Sequence, residues 1–236
     1  MQTTTFEREK ELLKEGKNWV ISVDEAGRGP LAGPVVAAAV WYKDLLFGIP
    51  ESLTREFSLI RDSKKLSAVQ REKTFALIEE YFHIGIGQVN AETIDRVNIL
   101  EATFLAMKMA IANLQLTTNN LQPKRRDPYI LVDGNQLIPN CSYEQETVIG
   151  GDGAVKSIAA ASIIAKVTRD RLLDTYENEF PGYGFVRHKG YGTKEHMDAL
   201  RKHGPCPIHR MSFKPVLLSL PENVNKRFAN VLKPKK

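Results

Sequence analysis

The 236-residue sequence is poor in cysteine, with only Cys141 and Cys206. They sit in dissimilar contexts and form no CxxC pair, so neither a disulfide framework nor a thiolate zinc site is indicated. No apolar run approaches the ~18 residues that a membrane span requires. The first ten residues also lack the apolar core of a signal peptide, and a cytoplasmic location is the expectation. No convincing Ser-His-Asp or Cys-His set is present, which leaves no evident side-chain nucleophile. Acid is short relative to base, with 28 Asp+Glu against 33 Lys+Arg, a net charge of +5. Between Arg187 and Lys214 there are seven Lys/Arg and two acids, so this segment alone carries an excess equal to that of the whole chain. A local basic field suits a polyanion, most simply nucleic acid. Charge alone fits a non-catalytic basic nucleic-acid-binding module equally well.

The most informative stretch runs from Val20 to Pro34. Val20-Ile21-Ser22-Val23 reads as a buried strand that ends in two adjacent carboxylates, Asp24 and Glu25, followed by Gly27, Arg28 and Gly29. Two acids at one point repel each other and resist burial unless a cation, a proton or hydrogen-bond donors compensate them. The glycines let backbone approach a ligand closely, and Arg28 offers a planar donor fork suited to phosphate. The residues from Gly27 to Ala32 also match the dinucleotide pattern G-x-G-x-x-A, with Asp44 as a ribose acid. That motif must open a helix, however, whereas here Pro30 and Pro34 lead into a second strand, Val35 to Tyr42. Consecutive strand residues point to opposite faces, so Asp24 and Glu25 share a site only if the strand loses regularity there.

Further along, Ser67 is a candidate N-cap for a helix running to about Phe82, and Ser63, Lys64 and Lys65 just before it are candidate phosphate contacts. Ile84 to Val89 alternates as a strand, and Asn98 to Leu116 carries a broad apolar helix face. Asp44 to Ile60 reads as a surface excursion, and Thr117 to Asp127 as a loop. The opening theme then recurs: Tyr129 to Val132 ends in Asp133, and Thr147 to Ile149 leads to Asp152. Strands alternating with long helices imply an α/β sheet whose ligand site lies at strand ends, where Asp24, Glu25, Asp133 and Asp152 are candidates to converge. Ser157 to about Glu179 reads as a long helix with a small-residue face, in which Asp170 suits a surface ion pair better than a metal. His196, His203, Cys206 and His209 invite a zinc reading, but their spacing matches no zinc pattern.

Six segments together, Val23 to Pro30, Asp62 to Leu66, Asn98 to Thr103, Val132 to Asn135, Ser157 to Asp170 and His188 to Thr193, closely resemble bacterial ribonuclease HII, the type 2 ribonuclease H family. The resemblance spans about Trp19 to Val216. It implies an α/β, ribonuclease H-like fold with a mixed five-stranded sheet flanked by helices and a small helical C-terminal extension. It implies cleavage of RNA in RNA–DNA hybrids and incision 5′ of a ribonucleotide embedded in duplex DNA, leaving 3′-hydroxyl and 5′-phosphate ends. Carried over by motif, the metal-binding and catalytic acids fall on Asp24, Glu25, Asp133 and Asp152, the segment reading the 2′-hydroxyl on Gly27, Arg28 and Gly29, and a junction-sensing tyrosine on Tyr191. Lys166, Lys189 and Arg210 join Ser63, Lys64 and Lys65 as expected substrate contacts. Hard oxygen ligands suit Mg²⁺ or Mn²⁺, and two such ions serve an in-line displacement. The expected organisation is an N-terminal helical segment over 1–17, a catalytic domain over 18–184 and a C-terminal extension over 185–236 packed on it. Its basic tail is expected to be mobile beyond Pro221, and the protein is expected to be a monomer.

Overall fold

The structure, a computed structural model, describes residues 3–17, 19–45, 49–118 and 127–220. The basic tail from Pro221 onward and most of the expected loop before Asp127 lie outside the described residues. The elements in order are α1 (Glu7–Lys14), β1 (Val20–Ala26), β2 (Val35–Tyr42), α2 (Thr54–Phe57), α3 (Ala68–Tyr81), β3 (Phe82–Val89), α4 (Ala91–Val97), α5 (Ile99–Thr118), β4 (Tyr129–Asp133), β5 (Gln145–Val148), α6 (Lys156–Glu179), α7 (Phe185–His188), α8 (Lys194–His203) and α9 (Lys214–Leu217). Among the described residues no helix is long and apolar enough to cross a membrane. The chain forms two compact units, one from Met1–Ala26, Val36–Gln88 and Phe104–Val167, the other from Gly27–Val35, Val89–Thr103 and Thr168–Lys236.

The first unit is built on a mixed five-stranded sheet of order β3-β2-β1-β4-β5. Val20, Ile21, Ser22 and Val23 are all buried, as a central strand covered on both faces requires, and this is why the run is nearly continuous in apolar residues. β1 is antiparallel to β2, with Ser22 opposite Val40 and Ala26 opposite Val36. On its other side β1 is parallel to β4, which is parallel to β5. The small residues Ala159, Ala160, Ala161 and Ala165 of α6 are fully buried and pack with Ala38 and Val40 of β2. β3 and α5 approach still more closely: a Cβ at Gly85 would lie 2.1 Å from the Ala110 carbonyl oxygen, so only glycine fits.

One expectation is corrected here and one helix is added to those expected. The stretch from Asp44 to Ile60 is not simply a surface excursion, since Phe57 and Ile60 are fully buried and Phe57 meets the Tyr42 ring edge-on at 5.8 Å. A short helical turn, Thr54–Phe57, supplies Phe57, and the turn after it supplies Ile60, a stretch too short for any period to be visible in the sequence. The apolar helix after β3 is preceded by a separate one, α4, capped by the Asn90 side chain on Thr93 N–H at 3.0 Å. Asn98 separates the two with a φ of 74° and caps α5 by accepting from Leu100 and Glu101 N–H at 2.9 and 3.1 Å.

The second unit has its own core, in which Leu31, Leu173, Phe185, Leu200 and Val216 pack together. Its helix α8 starts at Thr193, whose hydroxyl accepts from His196 N–H at 3.3 Å.

Candidate active site

Three carboxylates of the first unit occupy the C-terminal ends of neighbouring parallel strands. Val23 pairs with Val132 in the last rung of the β1–β4 ladder, so Asp24 and Asp133 are the next residues on the two strands, Asp133 ending β4 while β1 runs on to Ala26. Asp133 in turn pairs with Val148 of β5, and Asp152 follows β5 in a tight turn entered through Gly150 with φ 67°. Asp152 N–H donates to Asp133 Oδ1 at 3.3 Å. A Cβ on Gly151 would sit 3.1 Å from that oxygen and 2.6 Å from Ile158 Cδ1, which explains the glycine.

Asp24 is only 5 % exposed. Its carboxylate accepts from Glu25 N–H at 2.6 Å and from the Ser162 hydroxyl of α6, and Ser162 in turn lies 3.1 Å from the Ser63 hydroxyl. Burial, then the charges of Glu25 and Asp133, push Asp24 well above the usual carboxylate range. Burial, then the charge of Asp152, raises Asp133. Lys64 Nζ stands 3.7 Å from Asp152 Oδ2. Burial pulls the Lys64 ammonium down, but the field of Asp152, Asp62, Asp24 and Asp133 outweighs it and holds the group above its ordinary value. The acids thus share one electrostatic environment, in which Lys64 beside Asp152 is a positive charge felt by Asp24 and Asp133.

The expected loss of strand regularity between Asp24 and Glu25 is not seen, because pairing with β2 continues in register through Ala26. Glu25 therefore starts from the opposite face of β1, and the chain departs from extended geometry only at Gly27, with φ 100°. Among the described residues, no three acid, histidine or cysteine side chains are already gathered into a cage for a metal ion. The donor chemistry nevertheless fits a hard divalent cation: all oxygen, several carboxylates, two of them resisting ionisation beside their neighbours.

Gly27, Arg28 and Gly29 belong to the second unit, where Arg28 and Gly29 are exposed. Tyr191, 47 % exposed, lies against this segment, its Cε1 3.7 Å from where a Gly29 Cβ would be. Lys65 is solvent-facing beside Asp62, and Lys166 is half-buried on α6. Three expected substrate contacts are turned inward instead. Ser63 is buried against Ser162, and Lys189 pairs with Asp174 and donates to the Asp170 carbonyl at 3.3 Å. Arg210 is fully buried, its guanidinium taken up by backbone carbonyls. Ser63 and Arg210 are buried by segments 99 and 177 residues away, and Lys189 is half-buried against α6.

Other residues escaped the sequence reading. Ser162 supports Asp24, and Arg169, 1 % exposed, donates to the carbonyls of Pro34, Lys189 and Ala32 at 3.0, 2.9 and 2.9 Å. Asp95 accepts from Met211 and Ser212 N–H, both at 2.8 Å. The three buried histidines form no metal site. Cys206 N–H donates to His209 Nδ1 at 2.9 Å, which leaves the His209 proton on Nε2, 2.9 Å from His196 Nε2. His196 Nδ1 then donates to the Tyr191 carbonyl at 3.0 Å, and Gly190 N–H donates to His188 Nδ1 at 3.2 Å.

A family profile described as ribonuclease HII matches residues 21–216. The ribonuclease HII of Caldicellulosiruptor bescii is 47 % identical over 218 residues, covering 91 % of this chain and 96 % of that protein. The chain belongs to the ribonuclease HII family. The ribonuclease HII of Endomicrobium trichonymphae is 44 % identical over 217 residues, covering 92 % of this chain and 95 % of the relative. Among solved structures, the ribonuclease HII of Archaeoglobus fulgidus in complex with PCNA superposes with a TM-score of 0.61 at 25 % identity, covering 83 % of this chain and 95 % of that one. The fold is therefore ribonuclease H-like, and family membership places the chain among the ribonucleases H.

Proposed function

We propose that this chain is a metal-dependent endoribonuclease. It hydrolyses the RNA strand of RNA–DNA hybrids and incises 5′ of a ribonucleotide embedded in duplex DNA, leaving 3′-hydroxyl and 5′-phosphate ends. The observation that carries the reading is the meeting of Asp24 and Asp133 where the parallel β1–β4 ladder ends, with Asp152 donating its N–H to Asp133. Strand ends of this kind are where open α/β sheets take their ligands.

Asp24, Glu25, Asp133 and Asp152 would hold Mg²⁺ or Mn²⁺, Glu25 being close enough for its charge to act on Asp24. Two such ions, when bound, supply an activated water and stabilise the departing oxygen. The protein's own part is positional. Ser162 fixes the Asp24 carboxylate, and the Asp152 N–H orients Asp133. Lys64, Lys65, Lys166 and Arg28 would meet phosphates. Gly27, Arg28 and Gly29 directly follow the first acids in the chain, and with Tyr191 they are the reader of the ribose 2′-hydroxyl, the one local difference between RNA and DNA at a matched site.

The test is cleavage of duplex DNA carrying one ribonucleotide, with and without Mg²⁺ or Mn²⁺. Asp133→Asn and Asp24→Asn should abolish cleavage while leaving duplex binding largely intact, and Asp170→Asn should keep most activity. Near-normal turnover by either of the first two removes the metal assignment. Tight binding with no metal-dependent hydrolysis in the unaltered protein would favour a non-catalytic binder.

A further inference from the structure

In the second unit two arginines are withdrawn from solvent, Arg169 and Arg210, at 1 % and 0 % exposure. Arg210 belongs to the basic segment from Arg187 to Lys214 and Arg169 to α6, yet neither guanidinium faces outward. Arg210 donates from Nη2 to the Gly27 carbonyl at 2.6 Å, from Nη1 to the Arg28 carbonyl at 3.0 Å and from Nε to the Gly33 carbonyl at 3.0 Å. Arg169 takes the carbonyls of Ala32 and Pro34 in the same connection and that of Lys189 in the segment bearing Tyr191. Five carbonyls between Gly27 and Pro34 thus end on two buried cations. Burial, and for Arg210 the like charge of Arg169, pulls both below the usual arginine range. Such an arrangement is costly, and simple packing would be met by apolar side chains.

The consequence lies in peptide geometry. The described residues contain no cis peptide bond, and in a planar trans peptide the C=O and N–H point in opposite directions. A guanidinium that holds the carbonyls of Gly27 and Arg28 on its own side therefore turns the N–H groups of Arg28 and Gly29 to the other. We infer that Arg210 is a positioning residue for 2′-hydroxyl recognition, aiming successive backbone donors of the Gly27–Gly29 segment, with Arg169 anchoring the rest of the connection. The inference rests on the reading of that segment proposed above. Lysine cannot substitute: one ammonium lacks the rigid fork that reaches three carbonyls in fixed directions. Gly27 is part of the same device, since its φ is 100° and a Cβ there would fall 2.2 Å from Arg169 Nε.

The experiment compares wild type, Arg210→Ala and Arg210→Lys with Mn²⁺, on duplex DNA with one ribonucleotide and on the all-DNA duplex. Wild type that does not distinguish the two duplexes refutes the reading of the segment, whatever Arg210 does. Given discrimination by wild type, folded Arg210→Ala should lose at least about 100-fold in cleavage at the ribonucleotide, the scale of an ångström of misplacement. Its Mn²⁺ affinity, which depends on acids of the first unit, should be unchanged. Added guanidinium should restore cleavage well above the level given by equal ammonium, because it refills the fork. A wild-type rate in folded Arg210→Ala overturns the inference, as does a loss that guanidinium does not relieve and that parallels lost Mn²⁺ binding. Should Arg210→Ala fail to fold, Arg210→Lys decides: reduced ribonucleotide cleavage with intact Mn²⁺ affinity supports positioning, and an unreduced rate overturns it.

Discussion

Tyr191 presents 47 % of its surface to solvent with its ring edge over Gly29, so its side chain contributes little to the core. Tyr191→Ala should therefore change stability by no more than about 0.5 kcal/mol. It should reduce cleavage at a single embedded ribonucleotide far more than cleavage within a continuous RNA–DNA hybrid. Paired kinetics on the two substrates, with a melting curve, check this; equal losses or a large fall in Tm would return Tyr191 to a packing role. At this scale the acids were legible because a carboxylate at the end of an apolar strand has few bland explanations. The basic residues were not. A guanidinium on a phosphate and one on buried carbonyls are written with the same letter, and only the exposure of Arg28 against the burial of Arg210 separates them.

Among elements, β3 and α5 are joined by backbone contact at Gly85. Gly85→Ala should destabilise by about 1–3 kcal/mol through overpacking, lowering Tm by roughly 2–4 °C per kcal/mol for a chain of this size. An unchanged Tm would show that the helix can move aside. The loop that carries Tyr191 is held differently, by histidines kept neutral. Burial lowers His196 to about 4 and His209 to about 3, from an ordinary 6.5. With folded values below the unfolded one, the unfolded chain binds more protons in between. The stability they contribute is thus complete above pH 6.5 and falls as pH drops toward 4, at about 1.4 kcal/mol per unit for each. Thermal melts from pH 7.5 to 5 should show this slope in wild type and a flatter one in His196→Gln/His209→Gln. The strands and long helices were readable because alternation and small-residue faces are local patterns. The α4 helix and the Phe57 anchor were not, being short segments whose role comes from what they meet.

For the whole molecule the basic excess should govern affinity. Binding to duplex should weaken with added salt, because Lys and Arg displace counterions condensed on phosphates. Lys189 is engaged with Asp174, so the exposed Lys194 and Lys202 are the better probes. Replacing both by Gln should flatten the plot of log affinity against log salt, and an unchanged slope would mean that α8 does not touch the backbone. By itself the sequence determined the run of strands, the long helices, the identity of the acids and the family, since these are written in neighbouring residues or in ordered motifs. Tertiary structure alone decided that Asp24 and Asp133 sit on adjacent strands where their parallel ladder ends, and that the glycine-rich connection joins a unit assembled from three separate stretches. It alone engaged Ser63, Lys189 and Arg210 within the protein, and for Arg210 the carbonyls that bury it lie more than 170 residues earlier, where no local pattern can encode them.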